Sequence, residues 1–281
     1  MNSRVKGIIA YLAIAFCISW IPLTIQWMLG LRGPSEDATF WDYVVFLLLT
    51  LPTSFGPAIG AIVVRKWITR EGFADAGLSL NLRQGWKYYL FALIYPAIVV
   101  PGTLILARII SGEQPDFSDL AVASLAQMII IAIISTPIVW GEEFGWRGYL
   151  QVRLLADQPV KAAIATGLIW AIWHFPMILM GFLFSGNPLG LVLFPINMII
   201  TSLFYGWFQL RSGSIWAVSL AHAAGNTMVT PLLSSLLPQL AWPLVWAGYR
   251  LPILALLSLW IILSGQLKSQ TQVADDIEGA A

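Results

Sequence analysis

Six polar side chains of types that carry out chemistry lie inside apolar segments of this sequence. They are Glu142, Glu143, Arg147, His174, His222 and Asn226. A charged group costs at least ~2.5 kcal/mol to insert into a bilayer, so such groups are usually functional. Hydrolysis needs a base that activates water and donors that stabilise an oxyanion, and carboxylates, imidazoles and an amide can supply both. The set therefore indicates hydrolytic chemistry inside a membrane.

The spacing of the three charged residues predicts two different roles. Residues four apart on a helix are neighbours, so Glu143 and Arg147 form a pair on one face. We expect this pair to be mainly structural, because Arg is effectively always protonated and an adjacent carboxylate nearly neutralises it. Glu142 points about 100° away from Glu143 and has no local cation. Glu142 is therefore the candidate general base.

The other three residues can face the same space. His222 and Asn226 are four apart and share one helical face. His174 lies on another apolar segment, and these two histidines are the only ones in the chain. We expect these three side chains and Glu142 to line one cavity that opens to the cytoplasm. Taken singly, His174 and Asn226 could instead form ordinary hydrogen bonds between helices.

Small residues at helical spacing indicate how the helices that carry these groups could approach one another. Gly141 and Gly145 are four apart around the two glutamates, and Gly56 and Gly60 form a second such pair. Small residues at this spacing let membrane helices pack closely. The sequence therefore predicts a tightly packed helix at the glutamates.

The composition indicates a membrane protein. The chain has 281 residues, of which 58% are hydrophobic and only 10% are charged. A soluble domain is usually about a quarter charged. The formal net charge of +1 gives no reason to expect a nucleic-acid partner, and the single cysteine excludes a disulfide within the chain.

Hydropathy predicts an all-α fold, a polytopic membrane helix bundle. About 20 apolar residues are needed to cross a bilayer. The eight candidate spans are 7–30, 42–64, 88–110, 120–146, 162–183, 189–210, 214–236 and 244–264. We interpret residues 1–264 as one transmembrane domain and the polar tail, residues 265–281, as disordered.

The distribution of Lys and Arg predicts the orientation. With the N-terminus inside, eleven of these residues fall on the cytoplasmic side and three on the other, with Arg147 set aside. An even number of spans then puts both termini in the cytoplasm. We expect a multi-pass protein of the plasma (inner) membrane, whose partners are the lipid bilayer and a membrane-associated peptide or protein.

Three motifs in this order resemble those of the CPBP family, the CAAX proteases and bacteriocin-processing proteins, which includes type II CAAX prenyl endopeptidases. The motifs are Glu-Glu-x-x-x-Arg, an aromatic residue followed by His after three residues, and His-x-x-x-Asn. Here they begin at Glu142, Trp170 and His222, with Trp where the family usually has Phe. The resemblance centres on about residues 120–236, and the family's eight-helix layout agrees with the predicted spans.

The resemblance implies an intramembrane endopeptidase. It gives Glu142 and His174 the role of activating water, and it makes His222 and Asn226 the donors to the oxyanion. Glu143, Arg147 and Trp170 would then support the site. Two alternatives stay open: a non-proteolytic scaffold or bacteriocin-immunity protein that keeps the fold, and a proton-coupled transporter built on the same buried groups.

The need for a metal is the remaining open point. The family has been described both as metallopeptidases and as glutamate-dependent peptidases. If zinc is bound, its ligands would be His174, His222 and Glu142, because two histidines and a glutamate are a common catalytic zinc set. We favour no metal and no other cofactor, since the histidines lie on different spans and no His-Glu-x-x-His helix is present.

Overall fold

The computed structural model describes residues 2–31, 39–118, 120–183, 189–241 and 244–267. Helices dominate these ranges, and no strand occurs in them. The all-α prediction is therefore confirmed. Most of the tail predicted to be disordered, residues 268–281, lies outside the described residues.

Eleven α-helices follow one another along the described chain, several of them continued by a π-helical turn. The first four are α1 (Ser3–Met28), α2 (Phe40–Val63, continued by Val64–Ile68), α3 (Leu82–Ile94) and α4 (Pro96–Ser111). Then come α5 (Val122–Gly145, continued by Trp146–Gln151), α6 (Val152–Leu154), α7 (Pro159–Leu179) and α8 (Leu189–Ser212). The last are α9 (Ile215–Ala224, continued by Gly225–Val229), α10 (Thr230–Leu236) and α11 (Leu251–Leu263, preceded by Leu244–Arg250).

Six helical stretches of the described chain are long and apolar enough to cross a membrane. They are Ser3–Met28, Leu48–Ile68, Leu82–Ser111, Ala123–Leu154, Pro159–Leu179 and Gly190–Ser212. Apolar residues such as Ile134 and Leu263 are 70% and 76% exposed, as expected for side chains that face lipid. The chain is thus a multi-pass α-helical membrane protein.

The last two predicted spans correspond to less apolar or shorter helices. The seventh follows the continuous helical run from α9 to α10, whose mean hydropathy is lowered by His222 and Asn226. The eighth contains the shorter apolar helix Gly248–Leu263. The count of eight spans stays a prediction.

The two described ends of the chain lie at the same end of the bundle. Arg4, at the start of α1, contacts the backbone carbonyl of Arg153 after α5. Arg211, at the end of α8, donates from Nε to the carbonyl of Gln266, 2.6 Å away. The basic residues predicted to be cytoplasmic lie at this end, apart from Lys268, which is outside the described residues. We call it the basic end.

Glycines bring α5 into close contact with α2, as the spacing predicted. A Cβ atom added to Gly145 would lie only 2.7 Å from the carbonyl oxygen of Pro57. A Cβ atom on Gly141 would come within 3.0 Å of the carbonyl oxygen of Ser54. Gly56 and Gly60 play the same part where α2 packs against α1. Because glycine has no side chain, α5 can pack closely against α2, and α2 against α1. This close packing places Glu142 and Glu143 inside the bundle.

Candidate active site

Glu142 lies on the wall of an internal cavity and has a specific partner. The indole Nε1 of Trp170 donates a hydrogen bond to Glu142 Oε2 over 2.9 Å. No salt bridge joins Glu142 to a basic side chain in the described part of the chain. Phe, the usual family residue at position 170, has no N–H group and could not make this contact. Trp170 thus fixes one carboxylate oxygen of Glu142 and leaves the other for a different partner.

Glu143 and Arg147 form the buried ion pair that the spacing predicted. Arg147 Nη1 lies 3.0 Å from Glu143 Oε1, and neither side chain is exposed. The guanidinium also stacks on Trp170, with its carbon 4.4 Å from the ring centroid. The pair is therefore packed beneath the same indole that holds Glu142.

A third residue joins this pair, and sequence spacing did not predict it. His222 Nδ1 lies 2.7 Å from the same Oε1 atom of Glu143. The carboxylate of Glu143 is thus shared between Arg147 on its own helix and His222 on α9. Glu143 thus orients the imidazole of His222 through Nδ1. The other ring nitrogen, Nε2, takes no part in this contact.

His174 is fixed by its own helix. Its Nδ1 lies 2.9 Å from the backbone carbonyl of Trp170, which can only accept, so Nδ1 carries the proton in this contact. A neutral ring then has its lone pair on Nε2. Trp173 and Phe194 pack against the ring at centroid distances of 4.6 Å and 4.9 Å. His174 is therefore held in a form that can accept a proton.

Asn226 lies where α9 changes to a π-helical turn. Asn226 is exposed, and it lines the cavity beside His222. The hydroxyl groups of Tyr95 and Tyr205 crowd the preceding Gly225, where an added Cβ atom would meet them at 2.7 Å and 3.1 Å. Close packing at Gly225 thus sets the position of the Asn226 amide.

One cavity of about 390 Å³ contains all four residues predicted to act on substrate. Glu142, His174, His222 and Asn226 lie on its wall together with Trp170. The expectation that they share a cavity agrees with the structure, although their individual roles stay predictions. Tyr205, Trp246 and Arg250 also line it and were missed as site residues.

Arg250 is the most informative of the missed residues. It lies near the start of the eighth predicted span, where a long basic side chain can extend to the membrane surface. The structure instead places it on the cavity wall, stacked over Trp246. An ionisable residue in an apolar segment was the signal that identified Glu142 and His222, and it applied equally to Arg250.

π-helical turns occur beside the site. Arg147 lies in Trp146–Gln151, Asn226 in Gly225–Val229 and Arg250 in Leu244–Arg250. An extra residue in a turn rotates every side chain that follows, and such turns are often found at functional sites. Regular helical spacing therefore could not predict the direction of Arg250.

The donor atoms do not form a metal-binding cluster. Within the described residues, no three His, Cys, Asp or Glu side chains come close enough together to hold a metal ion. His222 and His174 each direct Nδ1 to a protein partner. Contacts of this kind are also usual for histidines that ligate a metal through Nε2. The absence of zinc at His174, His222 and Glu142 therefore stays a prediction, and no step is assigned to a metal.

The cavity extends away from the basic end. Its lining includes Leu183 after α7, Phe194 early in α8 and Trp246 before α11, all toward the opposite end of the bundle. The sequence predicted both that the termini are cytoplasmic and that the cavity opens to the cytoplasm. These two expectations conflict, because the described ends and the outer part of the cavity lie at opposite ends of the bundle.

The fold and the site together define a multi-pass α-helical membrane protein with carboxylate and imidazole groups around an internal cavity. Residues 122–228 match the family model described as type II CAAX prenyl endopeptidase Rce1-like. This segment contains every residue that carries the three motifs. CAAX prenyl protease 2 of Methanococcus maripaludis is 26% identical over 140 residues, which are 48% of this chain and 51% of that protein. The chain thus spans about half the length of this relative.

The central helices of the chain are thus similar to this family of CAAX proteases over residues 122–228.

Proposed function

We propose that this protein is an intramembrane endopeptidase that hydrolyses a peptide bond in a membrane-associated peptide or protein. The observation that carries the proposal is the shared cavity of Glu142, His174, His222 and Asn226. The family match supports a protease, and the relative's name refers to a CAAX prenyl substrate. Cleavage rates of the same peptide with and without a prenyl group would therefore show whether this protein recognises that group.

Glu142 and His174 are suited to activate water. Glu142 has one oxygen held by Trp170, and the neutral His174 ring has a lone pair on Nε2. Water held between them loses a proton to Glu142 as its oxygen attacks the peptide carbonyl carbon. The same proton can then pass from Glu142 to the leaving amine when the C–N bond breaks.

His222 and Asn226 are suited to stabilise the oxyanion that forms on the carbonyl oxygen. The side-chain amide of Asn226 is a good donor to such an oxyanion. His222 needs a proton on Nε2 to donate, and a charged ring inside a protein needs an anionic partner. Glu143, 2.7 Å from Nδ1, is that partner. We therefore propose that Glu143 orients the oxyanion donor as well as pairing with Arg147.

The test is whether proteolytic fragments in the membrane depend on Glu142. Cells that produce wild-type protein should contain new C-terminal fragments of membrane proteins, and cells that produce Glu142→Ala should lack them. Quantitative proteomics of membranes from both strains measures this difference. Identical fragment sets, with equal amounts of both proteins, would favour the scaffold alternative. Proton-gradient-dependent flux through reconstituted protein would favour the transporter.

We also propose that catalysis needs no metal. Purified protein treated with a chelator should keep its activity and carry far less than one zinc per chain, because no three His, Cys, Asp or Glu side chains of the described residues lie close enough together to hold the ion. Elemental analysis and a peptide-cleavage assay measure these quantities. Stoichiometric zinc, with activity lost on removal and regained on return, would overturn this prediction.

We place the protein in the plasma membrane with the basic end in the cytoplasm. The support is the excess of Lys and Arg at that end, which is the usual determinant of orientation. In this orientation the outer part of the cavity faces the other side of the membrane, and substrate reaches the site from there or from the bilayer. This revises the expectation of a cytoplasmic opening.

A further inference from the structure

Arg250 is a cation in the cavity wall without an anionic partner. Its guanidinium carbon lies 5.1 Å from the ring centroid of Trp246. Its Nε atom is buried and makes no hydrogen bond. Within the described residues, no carboxylate forms a salt bridge with it.

Neither of the two carboxylates near the cavity forms a salt bridge with Arg250. Glu143 is held by Arg147 and His222, and Glu142 accepts a hydrogen bond from Trp170. A cation inside a membrane protein is costly and is usually paired or functional. The guanidinium group presents donors in a fork that matches a carboxylate, so an anionic ligand would complete the site.

Aromatic contacts connect Arg250 to the proposed catalytic residues. Phe194 lies 4.9 Å from the ring of His174, and it stacks on Trp246 at 5.2 Å. Trp246 in turn supports Arg250. An extended peptide advances about 3.3 Å per residue, so a chain along this wall would reach Arg250 within about five residues of the scissile bond.

We propose that Arg250 binds a carboxylate of the substrate and thereby selects where the chain is cut. This inference rests on the proposed peptidase function. The carboxylate is either the free C-terminus or the side chain of an Asp or Glu a few residues beyond the scissile bond. Both present the same chemistry to the guanidinium, and an experiment can separate them.

The test uses matched peptides taken from a cleaved membrane substrate: a free acid, its C-terminal amide, and the amide with one Glu near its end. Wild-type protein should cleave the free acid, or the amide with Glu, about 10–100-fold faster than the plain amide, as expected for loss of a charge-assisted hydrogen bond. The preferred peptide identifies the source of the carboxylate. Arg250→Gln should remove the preference, and Arg250→Lys should keep part of it.

Arg108→Gln is the matched control, because Arg108 is toward the same end of the bundle but binds the carbonyl of Gly112 outside the cavity. It should keep the wild-type preference. Thermal unfolding of each variant in detergent shows whether Arg250→Gln is folded. If wild-type protein cleaves all three peptides equally, or Arg250→Gln keeps the preference, the inference fails and the peptidase function still stands.

Binding provides a measurement that does not depend on turnover. Glu142→Gln protein should bind the preferred labelled peptide about 10–100-fold more tightly than the plain amide, and adding Arg250→Gln should abolish this difference. Equal affinities for all three peptides would overturn the role of Arg250. Selective binding without any cleavage by wild-type protein would instead contradict the peptidase function.

Discussion

Replacing Glu142 by Gln should lower the rate of peptide cleavage about 10²–10⁴-fold, the usual contribution of a general base. An amide cannot take the proton from water, so the attacking oxygen stays unactivated. The amount of folded protein should be nearly unchanged. Gln has the same shape and keeps an oxygen that can accept from Trp170 Nε1. Initial rates at saturating and limiting peptide, with purified protein in lipid, measure the loss.

The matched control is Glu113→Gln, the same chemical change outside the cavity. Glu113 accepts a hydrogen bond from Gln239 Nε2 at 3.1 Å and does not line the site. This variant should cleave peptide at the wild-type rate. A Glu142→Gln protein that is folded and also cleaves at that rate would remove Glu142 from the mechanism.

Arg147→Ala should sharply reduce the yield of folded protein in membranes. Glu143 and Arg147 are both fully buried, and removal of one partner of such a pair typically costs about 3–5 kcal/mol. The stack of the guanidinium on Trp170 would also be lost. Fluorescence-detected size-exclusion chromatography of solubilised membranes measures the folded fraction, and thermal unfolding measures its stability.

A double variant separates stability from chemistry. Glu143→Gln combined with Arg147→Met removes both charges, so it should recover part of the yield that Arg147→Ala loses. It should remain inactive, because His222 loses its carboxylate partner. Arg83→Ala, a change at an exposed position on α3, is the control and should behave as wild type. Normal yield and normal activity for Arg147→Ala would show that the ion pair does not support the site.

Local sequence was sufficient for features that depend on one helix at a time. Hydropathy predicts the membrane helices because a spanning segment must be apolar along its length. The pair Glu143–Arg147 follows from helical periodicity alone, and so does the close packing of α5 at Gly145. The motifs also identified four residues that share the cavity, since polar groups inside apolar segments are rare enough to stand out.

Contacts between helices that are distant in sequence were decided only by the tertiary structure. His222 meets Glu143, 79 residues away along the chain, and Trp170 meets Glu142 from another helix. The π-helical turn Leu244–Arg250 directs Arg250 to the cavity, although a basic residue near the end of a span can also extend to the membrane surface. Helical periodicity relates only side chains on the same helix, so it contains no information on which helices pack together. Packing between helices therefore determined how Glu143 is shared and toward which end of the bundle the cavity extends.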